Sequence, residues 1–315
     1  MRLDVHAHYF SKEYLALLER LGIDKGRLEP GYRLLHPTRE ADFAERFGAM
    51  DRAHVDKQIL SVSGVSPYSL EEKNAIEGAR WANDLYAALA HEMPARFAAF
   101  GVLPMPHVKP ALAELARCLD ELDMWGITMN TSILGTTLAD PSFDPIYAEL
   151  DKRSAVLFIH PAGLACSSHE LIASGLTWPL GAPFEDSMAI LELLQAGFTL
   201  RFPRIKTIVP HLGGTLPFLI QRLDHMAQRY MPGKGVPREE MRKFWYDTVN
   251  GHPPSLRLAI ETFGLDRLVF GTDWPFWKGE AHQLAADYLS ESGLTAAQIA
   301  AIDSGNAKAL FGDRM

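Results

Sequence analysis

The chain has 315 residues, 47% of them hydrophobic and 22% charged, a composition that supports a large buried core and excludes intrinsic disorder. With 31 basic against 39 acidic residues the net charge is −8 when histidine is neutral, so neither nucleic acid nor an anionic membrane surface is an expected partner. The two cysteines, Cys118 and Cys166, exclude a disulfide framework or a thiolate metal cage, and no apolar run approaches the roughly 20 residues of a membrane span, so a cytoplasmic protein is expected.

In chain order, short β-branched runs alternate with amphipathic stretches, the pattern of βα units around a parallel sheet. Eight strands are predicted, at residues 3–8, 58–63, 97–103, 126–131, 155–160, 206–211, 244–249 and 268–273. Helices are predicted at 70–92, 110–123, 141–152, 185–198, 216–228, 255–263 and 280–291, with short ones at 296–302 and 306–311. No linker divides the chain and no repeat other than the βα alternation is visible. The predicted fold is α/β, one (β/α)8 TIM barrel over residues 1–315; a doubly wound open sheet ranks second, because its glycine-rich first turn is replaced by a histidine pair. Three connections exceed the need of a bare loop: 22–39, 161–184 and 231–238. The first two follow strands 1 and 5, where barrel loops build a site or its lid; the third follows a helix.

Chemistry gathers at strand ends. In the first strand, two-residue periodicity puts Asp4, His6 and His8 on the inner face, with Leu3, Val5 and Ala7 toward the helices. The fifth strand runs into His160, the sixth into His211 and the eighth into Asp273. Strand C-termini of a barrel face one crevice, so His6, His8, His160, His211 and Asp273 can meet there as ligands or bases. Neutral imidazoles with a carboxylate and an open position form the coordination set of one catalytic divalent ion, zinc first and manganese second. The fourth strand, Gly126–Thr131, contains no lysine that could bridge two ions, which favours a mononuclear site. His252, after strand 7, is a further residue that could line the site, whereas His36, His54, His91, His107, His169, His225 and His282 read as surface or packing residues. Cys118 reads as helix packing, and Cys166 falls in the long loop after His160. Walker A, nucleophile-elbow and H-E-x-x-H motifs are absent.

The segments Leu3-Asp4-Val5-His6-Ala7-His8, Leu157–Pro161, His211-Leu212-Gly213-Gly214-Thr215-Leu216-Pro217-Phe218, Phe270–Phe276 and Gly305-Asn306-Ala307 together resemble the amidohydrolase superfamily over nearly the whole chain. The likeness is to its decarboxylase branch, typified by 2-amino-3-carboxymuconate 6-semialdehyde decarboxylase. That resemblance implies that His6, His8, His160 and Asp273 hold the metal. It also implies that His211 is the acid/base, with Asp273 beside it among the catalytic residues. Arg33 and Arg222 would bind the substrate carboxylate, Arg222 by reaching the neighbouring protomer's site, which implies a homodimer. Trp178 and Phe276 would line the pocket.

Departures from the branch's pattern appear at Ala162-Gly163-Leu164, where bulkier and polar residues are usual, and at Trp274 in place of a tyrosine, so the muconate semialdehyde is not the expected substrate. The His-x-His start argues modestly against the dihydroxybenzoate subgroup, which typically begins Glu-x-His. The expected activity is metal-dependent, non-oxidative decarboxylation of a small unsaturated or aromatic carboxylic acid. A hydrolase of an amide, ester, lactone or C–C bond is the alternative on the same metal-bound water, and a non-catalytic binding protein is the third reading.

Overall fold

The computed structural model describes all 315 residues. Eight strands form one parallel sheet in sequence order: β1 (Leu3–His8), β2 (Lys57–Ser61), β3 (Phe97–Val102), β4 (Gly126–Asn130), β5 (Val156–His160), β6 (Lys206–Val209), β7 (Trp245–Asp247) and β8 (Leu268–Val269). The sheet closes on itself. Val5 N–H donates to Phe270 O at 2.9 Å, Asp273 N–H to His6 O at 2.8 Å and His8 N–H to Trp274 O at 2.6 Å, so the last strand pairs with the first. The fold is the expected (β/α)8 barrel.

Beyond Val269 the chain leaves the β7 ladder and bonds across to β1, which is why β8 ends sooner than its apolar run. Outer strand residues pack beneath amphipathic helices. The helix Glu72–Glu92, for example, buries Ala75, Ala79, Ala82, Tyr86 and Leu89 along one stripe at three- and four-residue spacing. The inner face carries Ile59, Phe100, Phe158, Ile208, Trp245 and Val269 in one cluster, closed from below by Ala307, Leu310 and Phe311 of the C-terminal helix. Asn306 holds that helix to the barrel, donating to the carbonyls of Leu265 at 2.8 Å and Leu268 at 2.7 Å.

The strand alternation expected for β1 is corrected. Its pairing with β2 slips between Asp4 and Ala7, where three steps on β1 match two on β2, as a β-bulge produces. Leu3 and Val5 therefore join the inner apolar cluster, and the histidines still point inward above them. Asp4 turns outward instead, accepting from Gln58, itself bonded to the buried Arg46 of the helix Arg39–Arg52. The segment 22–39 is also not a bare loop: Asp24 accepts from Gly26 N–H and opens a helix, Lys25–Leu34, despite Pro30. Short helical turns, Ala165–Ser167, His169–Ala173 and Thr177–Gly181, likewise occupy the segment 161–184.

Candidate active site

At the C-terminal mouth of the barrel the four expected ligand residues converge from β1, β5 and the chain just after β8. One ligand atom from each of His6, His8, His160 and Asp273 lies within 4.8 Å of every other, and all four residues are buried. His6 Nε2 and His8 Nε2 are 3.1 Å apart, and Asp273 Oδ1 is 3.2 Å from the first and 3.1 Å from the second.

Each imidazole is anchored through Nδ1, leaving Nε2 for the centre. His6 Nδ1 meets Asp247 Oδ2 at 2.6 Å, His8 Nδ1 meets Ser61 Oγ at 3.0 Å, and His160 Nδ1 meets Pro161 O at 2.9 Å. Anchoring the distal nitrogen of a ligating histidine fixes its tautomer and ring plane. Ligand atoms about 2.1 Å from a tetrahedral ion sit about 3.4 Å apart, a few tenths of an ångström more than the His6–His8–Asp273 separations, so this donor set fits a divalent cation. The electrostatics agree. Burial opposes a charge on His6, but the carboxylates of Asp273 and Asp247 outweigh it and push its pKa up to about 9. Burial holds His8 down at about 4 and His160 well below the ordinary imidazole value. Asp273 stays ionised: burial works to raise its pKa, and His6 and the other imidazoles bring it well below the usual carboxylate range. The cluster thus attracts positive charge while offering two neutral imidazoles.

His211 stands beside this group. Its Nδ1–H donates to Asp186 Oδ2 at 2.8 Å, and its Nε2 lies 3.7 Å from Asp273 Oδ2. Burial favours the neutral ring, yet Asp186 and then Asp273 raise its pKa well above the ordinary value. Asp186 is pushed up to about 6 by burial against the pull of His211, so the ion pair takes a further proton only in acid. The backbone here is strained: His211, Leu212 and Asp273 have φ of 54°, 53° and 60°. Non-glycine residues in the left-handed region cost about 1–3 kcal/mol each and persist where surrounding bonds impose them. Asp247 Oδ1 supplies one such bond, accepting from His211 N–H at 2.8 Å. Gly214 (φ 61°) is required because any Cβ there would strike the Pro183 carbonyl at the start of the helix Ala182–Gln195.

A cavity of about 480 Å³ opens over these residues, lined by His160, His211 and Asp273 below and by Trp178, Phe276 and Arg33 above. Trp178 and Phe276 are neighbours, with centroids 5.7 Å apart. The departure at Gly163 is explained by contact: a Cβ would meet the Trp178 ring at 2.9 Å, so the missing side chain lets the indole lie against the loop. Arg33 reaches the rim from the helix Lys25–Leu34 with its side chain 54% exposed. Arg222 does not line this cavity; it lies exposed on the helix Leu216–Tyr230. His252 is also outside it, exposed and paired with Ser255 Oγ, and its neighbour Asn250 takes the lining position.

Sequence reasoning missed Asp247, Asp186 and Ser61. Asp247 ends β7 on the inner face, so the rule that selects Asp273 would have found it, whereas nothing local distinguishes Asp186 within an apolar helix.

The amidohydrolase family model matches residues 3–312. The chain belongs to the amidohydrolase family. This amidohydrolase is 30% identical to the 2-amino-3-carboxymuconate-6-semialdehyde decarboxylase of Dictyostelium discoideum, over 89% of its own length and 83% of the relative's. It is 29% identical to the gamma-resorcylate decarboxylase of a Rhizobium species, over 95% and 96% of the two chains. The dihydroxybenzoic acid decarboxylase of a Polaromonas species, solved with bound manganese and the inhibitor 2-nitroresorcinol, superimposes with a TM-score of 0.82 at 27% identity, covering 98% of this amidohydrolase and 96% of that chain. No helix of this amidohydrolase is long and apolar enough to cross a membrane.

Proposed function

We propose that this protein is a metal-dependent, non-oxidative decarboxylase of a small planar carboxylic acid, most simply a hydroxylated aromatic one. The observation that carries this reading is His211, held by Asp186 next to the four converging ligand atoms and facing one cavity. The relatives named as decarboxylases of muconate semialdehyde and of dihydroxybenzoate support the same reaction class.

His6, His8, His160 and Asp273 would hold the ion; three imidazoles with one carboxylate make zinc the first choice, with manganese, the ion of the Polaromonas structure, as the second. When bound, the ion supplies Lewis-acid withdrawal of charge from substrate oxygens. The remaining steps belong to the chain. Trp178 and Phe276 exclude water from a flat substrate, and Arg33 offers a guanidinium to a carboxylate at the rim. His211 Nε2 passes its proton to the carbon bearing the carboxylate. The C–C bond to the carboxylate then breaks, its electron pair returns to the unsaturated system, and carbon dioxide leaves. Asp186 stabilises the imidazolium before transfer and helps it regain a proton afterwards.

A homodimer belongs to the same reading. Phe218 is 83% exposed one turn before Arg222, on a helix face with no covering element, and Arg222 has no ion-pair partner within its own chain. A second copy would cover Phe218 and receive Arg222 near its cavity. The deciding experiment is carbon dioxide release from a panel of aromatic and dienoic acids by metal-loaded protein, with metal content read by elemental mass spectrometry. Activity lost on chelation, restored by one divalent ion per chain and abolished in His211→Asn with metal retained is expected. Absence of turnover across the panel would overturn the reading.

A further inference from the structure

The cavity wall contains one uncharged side chain with an amide or hydroxyl group, Asn250, and the chain fixes which half of that amide can act. Asn250 Oδ1 accepts from Gly251 N–H at 2.8 Å and from His252 N–H at 3.0 Å, closing the turn that leads into the helix Pro253–Phe263. The oxygen is thereby committed to the backbone, and the amide orientation is settled, because both partners are donors. The Nδ2 group has no partner within the protein. An amide flanking a cavity with its acceptor used and its two N–H bonds free presents a donor to whatever enters.

The segment that carries it is rigid. Asp247 Oδ1 accepts from Val249 N–H at 3.0 Å, and Tyr288 Oη–H donates to Thr248 O at 2.6 Å, so the two residues before Asn250 are tied to the site's own carboxylate and to the helix Glu280–Glu291. A donor held on such a support loses little freedom on binding and discriminates by leaving a bond unmade when the ligand lacks an acceptor. Of the other lining side chains, Val249, Pro179, Pro183 and Phe276 offer no polar atom, and Trp178 and Trp277 each offer one indole N–H.

We infer that Asn250 is a specificity-determining residue: its amide N–H recognises an oxygen substituent on the ring of the substrate, so that a hydroxylated aromatic acid is preferred over its unsubstituted parent. This rests on the decarboxylase reading for the identity of the ligand, and its test is a binding measurement that needs no turnover.

Dissociation constants of benzoate and the three monohydroxybenzoates are measured by calorimetry for metal-loaded wild type, Asn250→Asp and Asn250→Ala, with carbon dioxide release followed separately. Asn250→Asp keeps the acceptors that close the turn and removes the donor, whereas Asn250→Ala removes the donor without adding charge. Wild type is expected to bind at least one monohydroxybenzoate about ten-fold more tightly than benzoate, the worth of one good hydrogen bond, and both variants to lose that ratio. Taking the ratio cancels any repulsion in Asn250→Asp between the introduced carboxylate and the carboxylate that all four ligands share. No preference in wild type, or a preference that survives in Asn250→Ala, overturns the inference, the second result assigning recognition to the metal side of the cavity. Turnover with an unchanged ratio would sink the inference and leave the decarboxylase reading. A lost ratio without turnover of any acid would do the reverse, and failure to bind any of the four acids would overturn the inference and leave the decarboxylase reading to the wider panel.

Discussion

The carboxylate of Asp247 lies 2.6 Å from Nδ1 of His6, and both side chains are fully buried. Through its other oxygen Asp247 accepts from the backbone N–H of His211 at 2.8 Å. One carboxylate thus orients a candidate metal ligand and pins the strained backbone under the candidate acid. Asp247→Asn keeps the shape but offers only one acceptor oxygen. Metal affinity should fall ten- to hundred-fold, as for other partners of ligating histidines. Competition against a chelator of known affinity measures this, and an unchanged dissociation constant would remove Asp247 from the site.

Asp186→Asn addresses the acid itself. Burial alone would favour neutral His211, and Asp186 is the larger of the two carboxylate influences that favour its charged form. A general acid works while protonated, so the rate falls as pH rises through its pKa. Asp186 raises that pKa in wild type and so sets where the alkaline limb falls. In Asp186→Asn it should move to lower pH, with maximal kcat reduced about 10²- to 10⁴-fold, the usual worth of a positioned acid. The pH profile of kcat with metal-saturated protein tests this. A limb that does not move would show that Asp186 has no hold on the proton.

The barrel was legible because eight strand-period runs recur along the chain and each after the first is followed by a helix-period stretch, and the His/Asp cluster because strand ends of a barrel share one crevice whatever lies between them in sequence. His6 and His8 illustrate both the strength and the limit. Their inward direction is correct, but the reason offered, simple alternation from Asp4, fails at the bulge, which no composition signal marks. Asp186 was invisible for a different reason: a buried carboxylate in a helix becomes meaningful only when the partner imidazole arrives from β6 in space. Loop residues were least legible. His252 and Asn250 sit two positions apart, and the turn closed by the Asn250 oxygen decides which one faces the cavity.

Arg222 offers a test of shared sites. If it serves the neighbouring copy, an Arg222→Ala chain retains a competent metal centre and His211 but lacks the guanidinium its partner should supply. Pairing it with a His211→Asn chain gives a mixed dimer in which one of two sites is complete. After unfolding and refolding an equimolar mixture of two inactive variants, half the dimers are mixed, so about one quarter of wild-type activity should return. An arginine acting in its own cavity would restore nothing, because both sites of the mixed dimer would then lack one group.

His282 predicts how the fold responds to acid. It is 1% exposed, its Nε2 has no partner, and its ring packs edge-on against Trp274 with centroids 5.0 Å apart. Burial, followed by the charges of Arg52 and Arg46, brings its pKa down to about 4. An unfolded chain takes up this proton near pH 6.5 and the folded chain only near 4, so the unfolded state binds more protons between those limits. Stability is therefore fully present above pH 6.5 and is lost progressively as pH falls toward 4, by about 3 kcal/mol from this group alone. His282→Leu removes the titration while keeping an apolar body against Trp274. Urea unfolding of metal-free wild type and variant at about pH 7.5 and 4.5 should show the variant losing about 2.5 kcal/mol less than wild type on acidification, whatever its stability at neutral pH. Equal losses in the two proteins would mean that His282 is charged in the folded state and that its pocket tolerates the proton.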